Sequence, residues 1–240
     1  MKVFKFGGAS VKDAAGVRNV AEVLKHFALD DLVIVVSAMG KTTNALEEVV
    51  WAYSDGRSTS DQVEALQRSH YDILAEVAPG DKEAARALVA HFEGLRATLS
   101  HRPTEVDRDY DRIVSHGELW STLIVTAHLH HAGISNTWLD ARTVVRTDAS
   151  HRGARVDWEA SGKRASTLMN EVAGNPKRIV TQGFIGFSSE GETTTLGREG
   201  SDFSAAIFAY LLDAESVTIW KDVPGMFNAD PKRFPDTLLL

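Results

Sequence analysis

Five consecutive apolar residues, Leu32-Val33-Ile34-Val35-Val36, constrain this chain more than any other stretch. A strand with one wet face alternates apolar and polar side chains, whereas an unbroken apolar run needs cover on both faces. Such a strand belongs in the middle of a sheet with layers above and below it. Around it, strand and helix patterns alternate. Val3–Phe6 reads as a first strand, and Val17, Val20, Ala21, Leu24 and Phe27 follow at helical spacing. From Thr43 to about Leu99 the pattern is helical. Val63, Leu66, Ile73, Leu74 and Val77 mark one face, and Ala85, Leu88, Phe92, Leu95 and Leu99 another, with Pro79-Gly80 separating the two helices. Glu118–His131 reads as a helix closed by Gly133, and Ile134–Leu139 as a strand. A helix over Asp157–Val172, one strand over Arg178–Gly186, a turn at 188–191, a helix over Ser201–Leu212 and a strand over Glu215–Trp220 complete the series. This alternation implies an α/β layered fold with a mostly parallel sheet.

With 240 residues the chain can bury a sizeable core. The formal charge of −7 argues against general nucleic-acid binding, which favours a basic face. Without cysteine there is no disulfide, thiolate metal site or cysteine nucleophile. No apolar run approaches the roughly 20 residues of a membrane span. The first strand starts without a charged-then-apolar leader, so a soluble cytoplasmic protein is expected. The apolar ending, Leu238-Leu239-Leu240, hints at association and at a chain cut within a larger unit.

Candidate chemistry gathers at strand ends. Lys5-Phe6-Gly7-Gly8-Ala9-Ser10 follows the first strand. Two glycines there permit φ > 0 and close approach of the backbone to an anion, and Lys5 adds a mobile charge. A plain strand-to-helix turn would suit the same hexapeptide. Ser37-Ala38-Met39-Gly40-Lys41-Thr42-Thr43-Asn44 lies past the carboxyl end of the apolar strand, where open α/β sheets bind ligands. Its Gly-Lys-Thr is not a P-loop, because Val35 stands where the first glycine belongs. Ser37 and Thr43 are hydroxyl donors, and Lys41 reads as a solvated loop residue.

In Thr195-Leu196-Gly197-Arg198-Glu199-Gly200-Ser201-Asp202, a glycine-bracketed arginine precedes an apolar helix that Ser201 or Asp202 can cap. Arg198 offers a planar fork to a carboxylate or phosphate, and Glu199 is expected to point outward. Ser115-His116-Gly117-Glu118 opens another helix. There the dipole should keep Glu118 ionised and suited to an ammonium group, although first-turn glutamates are common in any helix. From Trp220 to Lys232, Lys221, Asp222, Phe227, Asp230 and Lys232 could bracket a nucleotide. His128, His130 and His131 do not share one helix face, which disfavours a metal site.

Taken together, the segments at 5–10, 37–44, 115–118, 195–202, Gly183-Phe184-Ile185-Gly186 and Trp220–Gly225 resemble the aspartate kinases, of the amino acid kinase family, in order and spacing. The resemblance implies a three-layer αβα sandwich of the carbamate kinase-like type, with a mainly parallel central sheet and a helical insertion after the second strand. It implies an aspartate-binding lobe over about 1–175 and the start of a nucleotide-binding lobe over about 176–240. It further implies phosphorylation of L-aspartate by ATP to 4-phospho-L-aspartate, towards lysine, threonine and methionine, with Mg²⁺ held mainly through the ATP phosphates.

By the same resemblance Lys5 neutralises the transferring phosphoryl group and Asp202 orients that lysine. Thr43, Glu118, Arg198 and Ser201 hold aspartate. Gly7, Gly8, Ser10, Ser37, Lys221, Asp222, Phe227, Asp230 and Lys232 face the nucleotide. Three residues depart from the pattern: Ala9 and Lys221 replace threonines, and Glu199 replaces a glycine. A later phosphate-binding lysine and the regulatory ACT domains are expected beyond this chain, and a homo-oligomer is expected. The alternatives are a glutamate or acetylglutamate kinase of the same fold, or a non-catalytic nucleotide-binding fragment.

Overall fold

Alternate residues of the Leu32–Val36 strand face two different cores. The computed structural model describes the chain except for residues 29, 173–175, 222–224, 226 and 232 and the side chain of residue 170. The chain runs β1 (Lys2–Phe6), a 3₁₀ turn (Gly8–Val11), α1 (Ala14–Lys25) and β2 (Leu32–Val36). Next come α2 (Thr42–Ser54), α3 (Ser60–Val77), α4 (Lys82–Leu99), α5 (Val106–Val114) and α6 (His116–His131). It then passes through β3 (Thr137–Leu139), a 3₁₀ turn (Ala141–Thr143), β4 (Arg146–Thr147) and α7 (Trp158–Glu171). The described elements end with β5 (Arg178–Gln182), β6 (Ile185–Ser188), β7 (Thr193–Thr195), α8 (Gly200–Leu211) and β8 (Ser216–Trp220).

The main sheet has the order β3-β5-β2-β1-β8, and every pairing in it is parallel. Leu32, Ile34 and Val36 pack with Phe4, Phe6 and helices α1–α6 on one side. Val33 and Val35 pack with Val3, Ile179, α7 and α8 on the other. All five β2 residues are fully buried. At ~1.5–3 kcal/mol for each large apolar side chain buried, the unbroken run fixes this strand at the sheet centre. The result is the expected αβα sandwich, with α2–α6 as the helical insertion after β2.

Three expectations need correction. Arg178–Gly186 is not one strand: it breaks at Phe184, whose φ is +69°, and β6 departs into a second sheet of order β4-β6-β7. Among the described residues the strand expected from Ile134 begins only at Thr137. The last long helix starts at Gly200, with Glu199 in the cap position and no side-chain cap bond, so Ser201 and Asp202 lie inside its first turn. Among the described residues no helix is long and apolar enough to cross a membrane.

Candidate active site

Because the main strands are parallel, their carboxyl ends share one edge, and there the chain builds a cleft of about 260 Å³. Lys5, Gly8, Ser37 and Gly40 line it from the ends of β1 and β2 and the loops after them, and Thr43 lines it from the start of α2. Glu118 lines it from α6, and Phe184, Gly197, Glu199, Ser201 and Asp202 from the β5–β6 break and the start of α8. The two loops singled out around Lys5 and Arg198 therefore meet.

At the centre, Lys5 Nζ lies 2.6 Å from Asp202 Oδ1, with the lysine side chain only 9% exposed. Lys221 Nζ stands 3.7 Å from Asp202 Oδ2, and its side chain is 53% exposed. One carboxylate thus holds two ammonium groups at the mouth of the cleft. Gly8 serves close approach, and neither Gly7 nor Gly8 serves a left-handed backbone. Gly7 has φ −74°, and Gly8 is not among the positive-φ residues. A Cβ on Gly8 would sit 2.7 Å from the Ala38 carbonyl oxygen, which binds the β1 and β2 loops together.

The start of α8 is held by a similar fit. Gly183 has room for no side chain, since a Cβ there would be 2.6 Å from Ser201 Cβ. Next to it, the Phe184 N–H donates to Ser204 Oγ at 2.8 Å and the Phe184 carbonyl accepts from Leu196 N–H at 2.8 Å. These contacts fix the strand break against the helix. Phe184 is a cleft residue absent from the candidates; in the sequence it shows only as part of the Gly183-Phe184-Ile185-Gly186 segment. Glu199 borders the cleft and is exposed to solvent, and its φ of +56° is left-handed. A Cβ costs roughly 1–2 kcal/mol in that conformation, which a glycine would avoid.

Glu118 corrects a second expectation. Its Oε1 accepts from the Ala38 backbone N–H at 3.2 Å, while Oε2 is buried with no hydrogen-bond partner among the described residues. Burial pushes its pKa up to about 8, against backbone hydrogen bonds from Ala38 and Glu118 that favour the ionised form. The expected dipole effect loses because it supplies only about 0.3–1 kcal/mol, less than the desolvation of a buried carboxylate. Moreover Ser115 ends α5 and caps α6 at once, so the α6 N-terminus abuts another helix. An unpaired carboxyl in a cleft is a receptor for a cation.

Other candidates fall at the rim or elsewhere. Arg198 is exposed, and its neighbours Gly197 and Glu199 line the cleft while it does not. Ser10 Oγ donates to the Trp220 carbonyl at 3.4 Å, tying the β1 turn to the end of β8. Phe227 bridges to Leu239 in the C-terminal segment; neither it nor Asp230 is among the cleft-lining residues. Asp222 and Lys232 lie outside the described residues. His128 is bonded through Nδ1 to the Val77 carbonyl, and His130 through Nε2 to that of Asn136. Among the described residues no group of three His, Asp or Glu side chains could hold a metal ion.

One buried residue supports the site from behind. Asp111, fully buried on α5, accepts from Thr195 Oγ1 at 2.6 Å and Thr195 N–H at 3.0 Å. It also accepts from the Arg152 N–H at 3.1 Å and contacts His151 Nδ1 at 3.1 Å. The Gly197 turn then packs on Arg152, where a Cβ would meet the carbonyl oxygen at 3.0 Å. Asp111 therefore anchors both Thr195, which leads into the Arg198 loop, and the 151–152 turn on which that loop packs. Burial raises its pKa while these hydrogen bonds oppose the rise.

This architecture defines a class. The amino acid kinase family model matches residues 1–240, and the chain belongs to that family. Within it, the similar proteins are aspartokinases. The chain is 35% identical over 242 residues to the bifunctional aspartokinase/homoserine dehydrogenase 2 of Escherichia coli, covering all of this chain and 29% of that protein. It is 34% identical over 234 residues to the lysine-sensitive aspartokinase 3 of Escherichia coli, covering 96% of this chain and 51% of that one. The crystal structure of E. coli aspartokinase III in complex with aspartate and ADP superposes with a TM-score of 0.88 at 30% identity. That match spans all of this chain and 53% of the other. The chain thus spans about half or less of the length of these relatives.

Proposed function

We propose that the chain is the catalytic portion of an aspartate kinase, transferring the γ-phosphoryl group of ATP to the side-chain carboxylate of L-aspartate. The observation that carries this reading is the pairing, in one cleft, of an unpartnered buried carboxyl at Glu118 with the Lys5–Asp202 ion pair. The first receives the substrate's α-ammonium group and the second faces the phosphates. A similar protein crystallised with aspartate and ADP adds support.

In this reading the aspartate side chain is already a nucleophile and needs no general base. Its oxygen forms the new O–P bond as the bridging bond to the β-phosphate breaks, and ADP leaves with that electron pair. Lys5, held by Asp202, neutralises charge on the transferring group, and Lys221 supplies a second cation from the opposite side of Asp202. The Gly7 and Gly8 amides, Ser10 and Ser37 contribute donors around the phosphates. Arg198 reaches in from the rim to the substrate's α-carboxylate, and Thr43 and Ser201 add hydrogen bonds. Catalysis is then positioning plus preorganised charge. A Mg²⁺ ion arriving with the nucleotide would neutralise its phosphates; among the described residues no group of three His, Asp or Glu side chains is placed to hold it.

The finer assignments belong to the same proposal. They are the two lobes at about 1–175 and 176–240, nucleotide contacts from Asp222, Phe227, Asp230 and Lys232, a cytoplasmic setting, a place in lysine, threonine and methionine synthesis, and a homo-oligomer. Exposed Phe234, Leu238 and Leu240 support association. An acetylglutamate kinase reading is disfavoured by Glu118, because an acetylated amine carries no charge for it to meet. The test is ADP release with and without L-aspartate. Aspartate-dependent release should collapse in Lys5→Ala and Arg198→Ala, and unchanged turnover in both variants would rule the proposal out.

A further inference from the structure

A second cavity, of about 610 Å³, is larger than the cleft and lies on the other side of the α6 N-terminal turn. It is enclosed by the end of α4, the segment 100–105, α5, the start of α6, the 141–143 turn and β7. Arg102, Arg112 and Arg142 line it, against one carboxylate, Asp109.

Asp109 is spent locally. It is buried and accepts the Thr104 N–H at 2.8 Å and the Thr104 hydroxyl at 3.1 Å, closing the wall of the cavity. Arg112 uses Nε and Nη2 on Glu192. Arg142 uses Nε and Nη2 on Asp140, and Nη1 on the Thr193 hydroxyl. A guanidinium carries five N–H donors, so each keeps some in reserve. Arg102 is exposed and has no partner among the described residues. His116 also lines the cavity, although its Nδ1 is shielded from solvent and has no hydrogen-bond partner among the described residues. Its imidazole is held neutral by burial and by the nearby His91 and Arg142, yet a neutral ring still offers one N–H.

A cavity of this size falls in the range of small-ligand sites. Guanidinium groups with N–H donors to spare on several walls, one of them unpaired at Arg102 among the described residues, call for anionic groups on more than one side of the ligand. We infer that this cavity binds a small metabolite carrying two or more carboxylate or phosphate groups, gripped by Arg102, Arg112, Arg142 and His116. The inference goes beyond phosphoryl transfer and does not rest on it.

Calorimetric titration with citrate and with inorganic pyrophosphate tests it, on the wild type, Arg102→Glu and Lys5→Ala. The expected result is saturable binding of at least one probe in the wild type and in Lys5→Ala. Arg102→Glu, a charge reversal at an exposed position, should weaken it at least about tenfold, the loss of one charge-assisted contact. Citrate alone would mark a carboxylate site and pyrophosphate alone a phosphate site. No saturable binding of either probe at millimolar concentration, or binding unweakened in Arg102→Glu, overturns the inference.

Discussion

Lys5 Nζ and Asp202 Oδ1 are 2.6 Å apart, although 197 positions separate them in the chain. That pair joins the end of the first strand to the first turn of the last long helix. In the proposed reading Asp202 acts on the transferring group only through Lys5, which makes it a positioning residue. Asp202→Asn should lower kcat by roughly two to three orders of magnitude and change the KM for aspartate little. Steady-state kinetics with both substrates varied checks this split. Lys221→Thr should act more weakly, raising the KM for ATP without altering stability, because an ion pair this exposed contributes at most about 1 kcal/mol.

Glu118 gives a pH signature. Its pKa, about 8, is raised above the ordinary carboxylate value, so at pH 7 it is protonated in the free protein. An arriving ammonium group favours the ionised form, so aspartate binding near pH 7 should release up to about one proton. Calorimetry in buffers of different ionisation enthalpy reads that release, and Glu118→Gln should abolish it. The sign for stability follows. The native state binds more protons than the unfolded chain between the ordinary value and about 8, so this group weakens the ligand-free fold as pH rises through that window. Glu118→Gln should flatten that slope in pH-dependent melting.

Asp111 should behave as the anchor of the Arg198 loop. Asp111→Asn leaves an amide NH₂ facing backbone N–H donors, which costs about 1–3 kcal/mol per unsatisfied buried group. Thermal melting should show that loss. The KM for aspartate should rise more than that for ATP, since in the proposed reading the loop it holds brings Arg198 to aspartate.

Glu199→Gly tests the left-handed start of α8. Relief of the Cβ clash should raise stability by up to about 1 kcal/mol, and removing a carboxylate from an anion-binding cleft should lower the KM for ATP. A higher melting temperature together with a lower KM is the expected pair of results.

What was legible in the sequence was what depends on local pattern. The unbroken Leu32–Val36 run demanded two cores, and the glycine-flanked Lys5 and Arg198 turns marked the loops that meet at the cleft. What escaped depends on distant partners. Helix α5 buries Asp109 and Asp111 alongside Tyr110, so its inward face reads as polar. Strands β4 and β7 are too short for a periodic signal. The break at Phe184 needs a positive φ that phenylalanine does not advertise. The raised pKa of Glu118 follows from burial, which no local pattern in the sequence shows.

The central claim is that this cleft phosphorylates a carboxyl group of a free amino acid. Hydroxylamine trapping measures it directly, because an acyl phosphate yields a hydroxamate whereas hydrolysed ATP does not. The expected result is aspartyl hydroxamate formed in step with ADP, lost in Lys5→Ala, and absent when N-acetyl-L-glutamate replaces L-aspartate. ADP formed from aspartate without hydroxamate, or hydroxamate formed preferentially from N-acetyl-L-glutamate, would contradict it.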